Sequence, residues 1–309
     1  MKGELDQIIA RQRQWREARL AVATVIRTWG SAPRPAGSHM LIHEDGRFEG
    51  SVSGGCVEGD VLQAASEVIA DGRFRLLRFG VENESAWQVG LPCGGEIEIL
   101  VQPVDADGFP DSLFAAIDTA RRSGKSVSAV TDLDTGVTRI AEHEDEAGWI
   151  NRYEPPRRLL IVGAVQIAQS LARIAAEIDI AAVIIDPRAA FLTEDRFPGI
   201  ERDDRWPDEA IAAREPDART AVVVLSHDPK IDDPALIAAL ASPAAYIAAL
   251  GSRKSQAARL DRLREAGIDD ETLSRIDGPA GLDIGSVGPA EIALSIAAGM
   301  VAAFAQNSP

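Results

Sequence analysis

Cysteine is almost absent from this sequence. Only two of the 309 residues are cysteines, Cys56 and Cys93. So few cysteines argue against a disulfide scaffold, and the simplest compartment is the reducing cytoplasm. The N-terminus lacks the apolar core of a signal peptide, and no apolar run is long enough to cross a bilayer. We therefore expect a cytoplasmic protein with no membrane span.

Basic residues are also in short supply. The chain has 32 Lys and Arg against 48 Asp and Glu, which gives a formal net charge of −16. Nucleic-acid binding needs a basic face and anionic lipid repels an acidic protein, so neither is an expected partner. An anionic ligand would have to be held by local backbone N–H groups or a few arginines, because the overall field repels it.

The length and the 46% hydrophobic content suit two domains with separate cores. From residue 159 onward, short apolar runs alternate with amphipathic stretches, which predicts parallel strands covered by helices. A charged segment with Pro155-Pro156 interrupts the pattern before that point and predicts a linker. The predicted fold class is α/β, with a smaller α+β domain at 1–145, a linker at 146–156 and a Rossmann-type doubly wound parallel sheet at 157–309.

Two glycine-rich loops in the first half are candidates for an anion site. One carries Arg34 between two prolines, and its guanidinium suits a phosphate, although a solvated arginine on a rigid turn is the plainer alternative. The other, Ser53-Gly54-Gly55-Cys56, opens a helix, so we expect its N–H groups to face one spot. The helix start favours a thiolate at Cys56; the alternative is a tight turn with a small buried cysteine.

A third loop, Cys93-Gly94-Gly95, places the other cysteine beside a second pair of glycines. One site shared by both cysteines and two unrelated turns remain equal alternatives. Zinc is poorly supported because neither cysteine has histidine partners at the usual spacing.

The second half resembles a dinucleotide fingerprint with a defect. Gly163 follows the first strand, and Asp186 ends the second strand, where a ribose-binding acid belongs. Val165 stands where the second glycine should be, and its side chain obstructs the approach of a pyrophosphate. The fold prediction stands on the strand and helix pattern, whereas binding of NAD(P) is put in doubt.

Further candidates follow later strands of the predicted sheet. His227 comes after one strand, and Gly251-Ser252-Arg253 comes after the next and opens a helix, which favours an anion there. Because ligands of doubly wound sheets bind at strand carboxyl ends, we expect these residues to line a cleft. The plainer alternatives are a capping histidine and a solvated helix end.

Taken together, these stretches resemble the XdhC/CoxI family of xanthine dehydrogenase accessory proteins. The matching stretches are 30–35, 50–60, 93–95, 227–228, 250–254, 281–285 and 289–293. One departure is Gly163-Ala164-Val165-Gln166, where the family commonly reads Gly-Ala-Gly-His.

The resemblance implies a protein that binds molybdenum cofactor and delivers it to a molybdenum hydroxylase apoenzyme, with sulfuration supported by a cysteine desulfurase. Molybdopterin combines a phosphate with a dithiolene-bound oxo-metal centre. Cys56 and Cys93 are then candidates for a molybdenum contact, because thiolates are soft ligands. The expected anion cradle consists of Arg34, Gly54, Gly55, Gly94 and Gly95.

Other functions stay open. An NAD(P)-dependent oxidoreductase is favoured by the Rossmann pattern and Asp186 and opposed by Val165. A non-catalytic sensor or docking module is the third reading, and a cofactor insertion factor fits better than a turnover enzyme. The closing apolar helix either lines a homodimer interface or covers the sheet; its residues in question are Ile292, Ile296, Met300 and Val301.

Overall fold

The computed structural model describes residues 3–30, 34–80, 95–143 and 145–306, and the chain divides into two compact units, Lys2–Pro155 and Pro156–Pro309. The segment predicted as a linker is not all linker. A strand at Trp149–Tyr153 pairs with Val127–Thr131 inside the first unit, so the prediction is wrong there. Of its five residues only Tyr153 is buried, which leaves the strand without a clear hydrophobic pattern.

The described part of the first unit contains three helices and two antiparallel sheets. The helices are α1 (Glu4–Gln14), α2 (Glu58–Asp71) and α3 (Asp111–Arg122). The strands are β1 (Leu20–Trp29), β2 (His39–His43), β3 (Phe48–Gly50), β4 (Arg75–Phe79), β5 (Glu96–Pro103), β6 (Val127–Thr131), β7 (Thr138–Ile140) and β8 (Trp149–Tyr153). The five-stranded sheet has the order β3-β2-β1-β5-β4, and the other has the order β7-β6-β8.

The central strand β1 is buried on both faces. Ala21, Ala23 and Val25 point into a core that includes α2 residues. Leu20 and Val22 point to the opposite side, into a core with residues of α1, α3 and β8. This two-residue alternation is the ordinary periodicity of a strand, and it makes the five-stranded sheet the middle layer of the unit.

A buried histidine joins the two sheets of this unit. The Nδ1 atom of His39 lies 2.9 Å from the Thr24 hydroxyl, and its Nε2 atom lies 3.0 Å from the Tyr153 hydroxyl. Burial lowers the pKa of His39 to about 4, so the ring is neutral at physiological pH. The sequence offered no sign of this link, because its partners are distant along the chain.

The second unit is built on six parallel strands. Its strands are β9 (Arg157–Val162), β10 (Ile180–Ile185), β11 (Glu201–Asp203), β12 (Thr220–Val224), β13 (Tyr246–Ala249) and β14 (Ile276–Asp277). Its helices are α4 (Gln166–Glu177), α5 (Pro207–Ala212), α6 (Pro229–Leu240), α7 (Arg253–Glu265), α8 (Asp270–Leu273) and α9 (Pro289–Gln306). The order β11-β10-β9-β12-β13-β14 is that of a dinucleotide-binding Rossmann sheet, with its switch point between β9 and β12.

Both faces of this sheet are covered, as the continuous apolar runs predicted. Along β9, Leu159 and Ile161 face a core with α4 and α9, whereas Leu160 and Val162 face a core with α5 and α6. The predicted α/β class with a doubly wound parallel sheet is therefore confirmed.

The expectation that no apolar run is long enough to cross a bilayer is wrong for the closing helix α9, which is long and apolar enough to do so by length and composition alone. Ile296, Met300 and Phe304 are nevertheless fully buried in the core beside the sheet. Val301 is 42% exposed and Leu294 52% exposed. Ile296 and Met300 therefore cover the sheet, and the outer face of the helix is the part left apolar and exposed.

The loop that leads into α9 is fixed by a close approach at Gly281, whose φ is +90°. Its N–H donates to the Asp277 carboxylate at 3.0 Å. A Cβ atom at this position would lie 2.5 Å from the Ser295 hydroxyl oxygen and 2.6 Å from the Ile296 nitrogen. Gly285, in the same loop, has a φ of +70°, and a Cβ there would meet nothing within 4 Å.

Gly281 and Gly285 make a matched pair for testing the close approach between Gly281 and α9. We expect Gly281→Ala to lower the free energy of unfolding by about 1–3 kcal/mol more than Gly285→Ala, because both substitutions strain a positive φ but only the first forces α9 aside. Urea unfolding of the two variants measures the difference. Equal losses would show that Gly281 does not pack as described.

Candidate functional site

The loop between β3 and α2 is organised around one carboxylate. Glu58 accepts hydrogen bonds from the Ser51 hydroxyl at 2.7 Å, the Ser53 amide at 2.9 Å and the Gly55 amide at 2.8 Å. The Val52 amide at 3.3 Å and the Ser53 hydroxyl also donate to it. Only 9% of Glu58 is exposed, so this acid is an internal part of the loop.

The remaining amides of the loop are also used inside it. The Gly54 amide donates to the Ser51 hydroxyl oxygen at 2.9 Å. The amides of Cys56 and Val57 donate to the Ser53 hydroxyl oxygen at 3.0 and 2.9 Å. Every amide from residue 52 to residue 57 therefore has a partner in the chain.

This pattern corrects the prediction that Gly54 and Gly55 supply a backbone cradle for a ligand anion. The anion that their loop holds is the Glu58 carboxylate itself. Ser53, also a predicted ligand contact, is fully buried and serves the same network. The glycines are needed for conformation, since φ is +75° at Gly54 and +111° at Gly55.

Glu58 is charged at physiological pH. Burial alone would raise the pKa of this carboxyl, but the hydroxyls of Ser53 and Ser51 and the loop amides lower it to about 2. Its negative charge stands at the first residue of α2, where it compensates the positive end of the helix dipole. Sequence reasoning missed Glu58, although an acid in the first turn of a helix after serines and glycines is a recognisable capping signal.

Cys56 lies on the outer side of this loop as an exposed, free thiol. This excludes the alternative of a small buried cysteine. Cys93 and Gly94 lie outside the described residues, and Gly95 is buried just before β5. Within the described ranges, no group of three or more His, Cys, Asp and Glu side chains is placed to hold a metal ion.

Arg34 is not a freely solvated arginine. Its Nη2 atom donates to the Glu4 carboxylate, which neutralises its charge locally. Its Nε atom is buried and has no hydrogen-bond partner among the residues that the structure describes. The ion pair holds the guanidinium partly buried, so a phosphate would have to compete with Glu4 for it.

The turn after β9 packs against the end of β12. Gly163 has a φ of +102°, and a Cβ atom there would lie 2.8 Å from the Ser226 nitrogen. The Ala164 amide donates to the Asp186 carboxylate at 2.7 Å, and the Val165 amide donates to the Gly163 carbonyl at 2.9 Å. The first fingerprint glycine is therefore explained by close packing within the fold.

Asp186 does not have the free oxygens that a ribose-binding acid needs. Besides the Ala164 amide, it accepts from the Arg188 amide at 3.0 Å, Nε at 2.8 Å and Nη2 at 2.7 Å. It is fully buried, and although burial raises the pKa of Asp186, the bonds from Arg188 and Ala164 lower it overall. A ribose would therefore have to displace Arg188, a partner two residues away, to reach the Asp186 carboxylate.

Two arginines beside this turn were not predicted. The Arg188 guanidinium lies 4.4 Å from the centre of the Phe191 ring. Arg196 donates to the Ala164 carbonyl at 2.8 Å and to the Phe191 carbonyl at 2.6 Å. These contacts are visible only in the folded structure, because nothing in the sequence distinguishes these two arginines from the others.

His227 follows β12 at the same edge of the sheet. It is exposed, and its φ of +63° is a conformation that residues other than glycine rarely adopt. Its neighbours are fixed: Ser226 donates to the buried Asp232, and Asp228 accepts from the Lys230 amide to cap α6. His227 is thus exposed, and its backbone is held in an uncommon conformation.

The turn after β13 lies at this edge too. Arg259 donates to the Leu250 carbonyl at 2.9 Å and approaches the Asp232 carboxylate to 3.9 Å. Gly251 has a φ of +151°, and the Ser252 hydroxyl oxygen accepts from the Ser255 amide to cap α7. Arg253 is exposed at the first residue of that helix. The sheet order therefore brings Gly163, Asp186, His227 and Gly251 to one edge.

The loop network predicts a pH-dependent contribution of Glu58 to stability. We expect Glu58→Gln to lower the free energy of unfolding by about 2–4 kcal/mol at pH 7, because buried donors lose a charged acceptor. The folded-state pKa of Glu58 lies below its ordinary 4.5, so this contribution is present above pH 4.5 and is lost as the pH falls towards 2.

Denaturant unfolding of both proteins between pH 7 and pH 3 measures this effect. The difference between them should shrink below pH 4.5. Glu67→Gln, an exposed acid on the same helix, is the control and should change little. A difference that stays constant over this range would contradict the assignment.

Comparison with known proteins places both halves of the chain. Residues 15–80 match the XdhC and CoxI family, and residues 159–300 match the XdhC Rossmann domain. Molybdenum cofactor insertion chaperone PaoD of Escherichia coli (strain K12) is 31% identical over 266 residues, which cover 84% of this chain and 76% of that protein.

Two further relatives span nearly the full length. A probable xanthine dehydrogenase subunit of Bacillus subtilis (strain 168) is 27% identical over 311 residues, covering 91% of this chain and 92% of that protein. A crystal structure described as a xanthine dehydrogenase from Bacillus halodurans superposes with a TM-score of 0.84 at 25% identity, covering 100% of this chain and 97% of the other. The chain belongs to the XdhC and CoxI family.

Proposed function

We propose that this protein binds molybdenum cofactor and inserts it into a molybdenum hydroxylase of the xanthine dehydrogenase type. The observation that carries the proposal is the exposed Cys56 thiol on a loop whose internal hydrogen bonds are all made. A relative 31% identical is named a molybdenum cofactor insertion chaperone, which supports the same activity for this chain.

The described residues fit a cofactor that brings most of its own metal ligands. Molybdopterin binds its metal through a dithiolene, so the protein needs to add no more than a sulfur contact. Cys56 presents such a sulfur, and we propose Cys93 as a second, carried on the loop with Gly94 and Gly95. When bound, the cofactor supplies the oxo-metal centre that the client enzyme uses.

The edge of the second sheet is a candidate ligand site in its own right. We propose that exposed His227 and the turn of Gly251, Ser252 and Arg253 contact a ligand there, because ligands of doubly wound sheets bind at strand carboxyl ends. The roles of these residues are to bind and orient the ligand, and no bond-breaking step is required of them.

The partners follow from the activity. A molybdenum hydroxylase apoenzyme receives the cofactor, and a cysteine desulfurase supplies sulfur to it. The exposed face of α9, with Leu294 and Val301, is available for a second copy of the chain. A working thiol contact requires a reducing compartment, so the proposal places the protein in the cytoplasm.

Retention of the cofactor tests the role of Cys56. We expect Cys56→Ala, purified from a host that makes molybdopterin, to retain at least about tenfold less molybdenum and pterin than wild type. Loss of a metal contact costs at least as much as loss of an outer hydrogen bond to a ligand, about 10–100-fold. Metal analysis and pterin fluorescence give the two numbers.

Cys56→Ser is the matched control for loop shape, since it keeps the size of the side chain but offers a hard oxygen. It should fold as wild type and still lose the cofactor. Wild-type retention no higher than that of the Cys56→Ala, Cys93→Ala double variant would end the proposal for the cysteines.

Nucleotide binding can be tested separately. Because Arg188 and Ala164 fill the Asp186 carboxylate and Val165 crowds the turn, we expect no saturable binding of NADH at micromolar concentrations. Titration followed by nicotinamide fluorescence checks this. Micromolar affinity would mean that Asp186 releases Arg188 and would restore an oxidoreductase function.

A further inference from the structure

The cysteine loop carries negative charge and no positive side chain. Between positions 51 and 60 the charged side chains are Glu58 and Asp60, and the segment contains neither lysine nor arginine. Glu58 is ionised, and it lies within the loop with three backbone amides directed at its carboxylate. The positive end of the α2 dipole therefore already faces a carboxylate inside the loop.

A phosphate has little to gain at such a loop. Anion sites at helix starts depend on free N–H groups and on the positive helix end. Here the amides of residues 52–57 are all engaged, and the dipole faces the charge of Glu58. A phosphate could take any of these amides only by breaking a hydrogen bond within the loop, and it would bring a second negative charge beside that of Glu58.

A soft metal meets different conditions at the same loop. A soft metal needs a sulfur atom at the protein surface and no free backbone N–H group. The exposed thiol of Cys56 provides that sulfur. The hydrogen bonds from Cys56 and Val57 to the Ser53 hydroxyl hold the backbone behind that sulfur in place. The same network that excludes an anion thus supports the thiol.

We propose that Glu58 determines which end of the ligand this loop accepts: it closes the start of α2 to phosphate and leaves the Cys56 sulfur to meet the metal end. The inference rests on the proposed function for the identity of the ligand. It adds that the phosphate of the cofactor is directed away from the 51–60 segment, and that Glu58 is the specificity-determining residue there.

The reactivity of the Cys56 thiol measures the negative charge that the proposal places beside it. In a Cys93→Ala protein, Cys56 is the only thiol, and it can be alkylated with iodoacetamide or with iodoacetate, which is similar in size but negatively charged. The ratio of the iodoacetate rate to the iodoacetamide rate reports the local potential. N-acetylcysteine amide, a neutral small thiol, gives the reference ratio.

We expect the ratio for Cys56 to lie about two- to fivefold below the reference at low ionic strength, as for one nearby unit charge partly screened by water. In 1 M salt it should approach the reference, because the screening length falls to about 3 Å. Glu58→Gln should raise the ratio towards the reference at low salt, whereas Glu67→Gln should leave it low.

A wild-type ratio at or above the reference in low salt would overturn the proposal, and this result needs no variant. A low ratio that Glu58→Gln leaves unchanged would overturn the assignment to Glu58. Should Glu58→Gln not fold, Glu58→Asp keeps the charge and is expected to keep the low ratio; a ratio at the reference in that folded variant would also count against Glu58.

Inorganic phosphate tests the exclusion directly. Added phosphate should slow alkylation of Cys56 by iodoacetamide no more than chloride does at equal ionic strength. Protection by phosphate would show that the anion reaches the loop, which contradicts the inference. This readout uses no cofactor, so its outcome is separate from that of the molybdenum-retention assay on which the proposed function depends.

Discussion

An internal carboxylate takes the position that an external anion was expected to fill. Glu58 satisfies three of the amides and both serine hydroxyls around the cysteine loop. Without it, the amides of Val52 and Ser53 and the Ser53 hydroxyl would be left unpaired in a buried setting, which is costly for each group. The shape of the loop, the exposure of Cys56 and the local charge all depend on this one acid.

The second unit uses the same device. Asp186, which follows β10, receives the amide of Ala164 and the guanidinium of Arg188, and so it occupies the donor that a dinucleotide site would offer. In both units a motif that resembles an anion-binding turn is closed by a side chain of the chain itself. The turn then serves as a rigid scaffold. The groups left to contact a ligand are the exposed side chains at its rim.

Those rim groups differ in chemistry between the two units. The first unit presents a thiol, Cys56, on an acidic loop. The second presents His227 and Arg253, an imidazole in an uncommon backbone conformation and a guanidinium at a helix start. A soft metal suits the first kind of group and a phosphate suits the second, so the two units offer a ligand different chemistry.

The sequence was informative where the physical cause is local. Apolar runs of β9 and β10 predicted a parallel sheet, because strands covered on both faces have no polar side, and Gly72 marked the end of α2 because its left-handed conformation suits glycine. The motifs around Cys56 predicted the family because each of them is a contiguous stretch of the sequence.

Tertiary structure alone decided which groups are free to bind. Whether the amides of Gly54 and Gly55 face a ligand or Glu58, and whether Asp186 faces a ribose or Arg188, depends on how side chains fold back onto their own loops, and hydropathy and spacing do not record that. The strand β8 was missed because four of its five residues are not buried, and the contact of His39 with Tyr153 was missed because it joins residues 114 positions apart. Sequence patterns report the secondary structure and the motifs that each segment can form. Which acceptor each hydrogen-bond donor finds is decided only when the segments pack together in the folded protein.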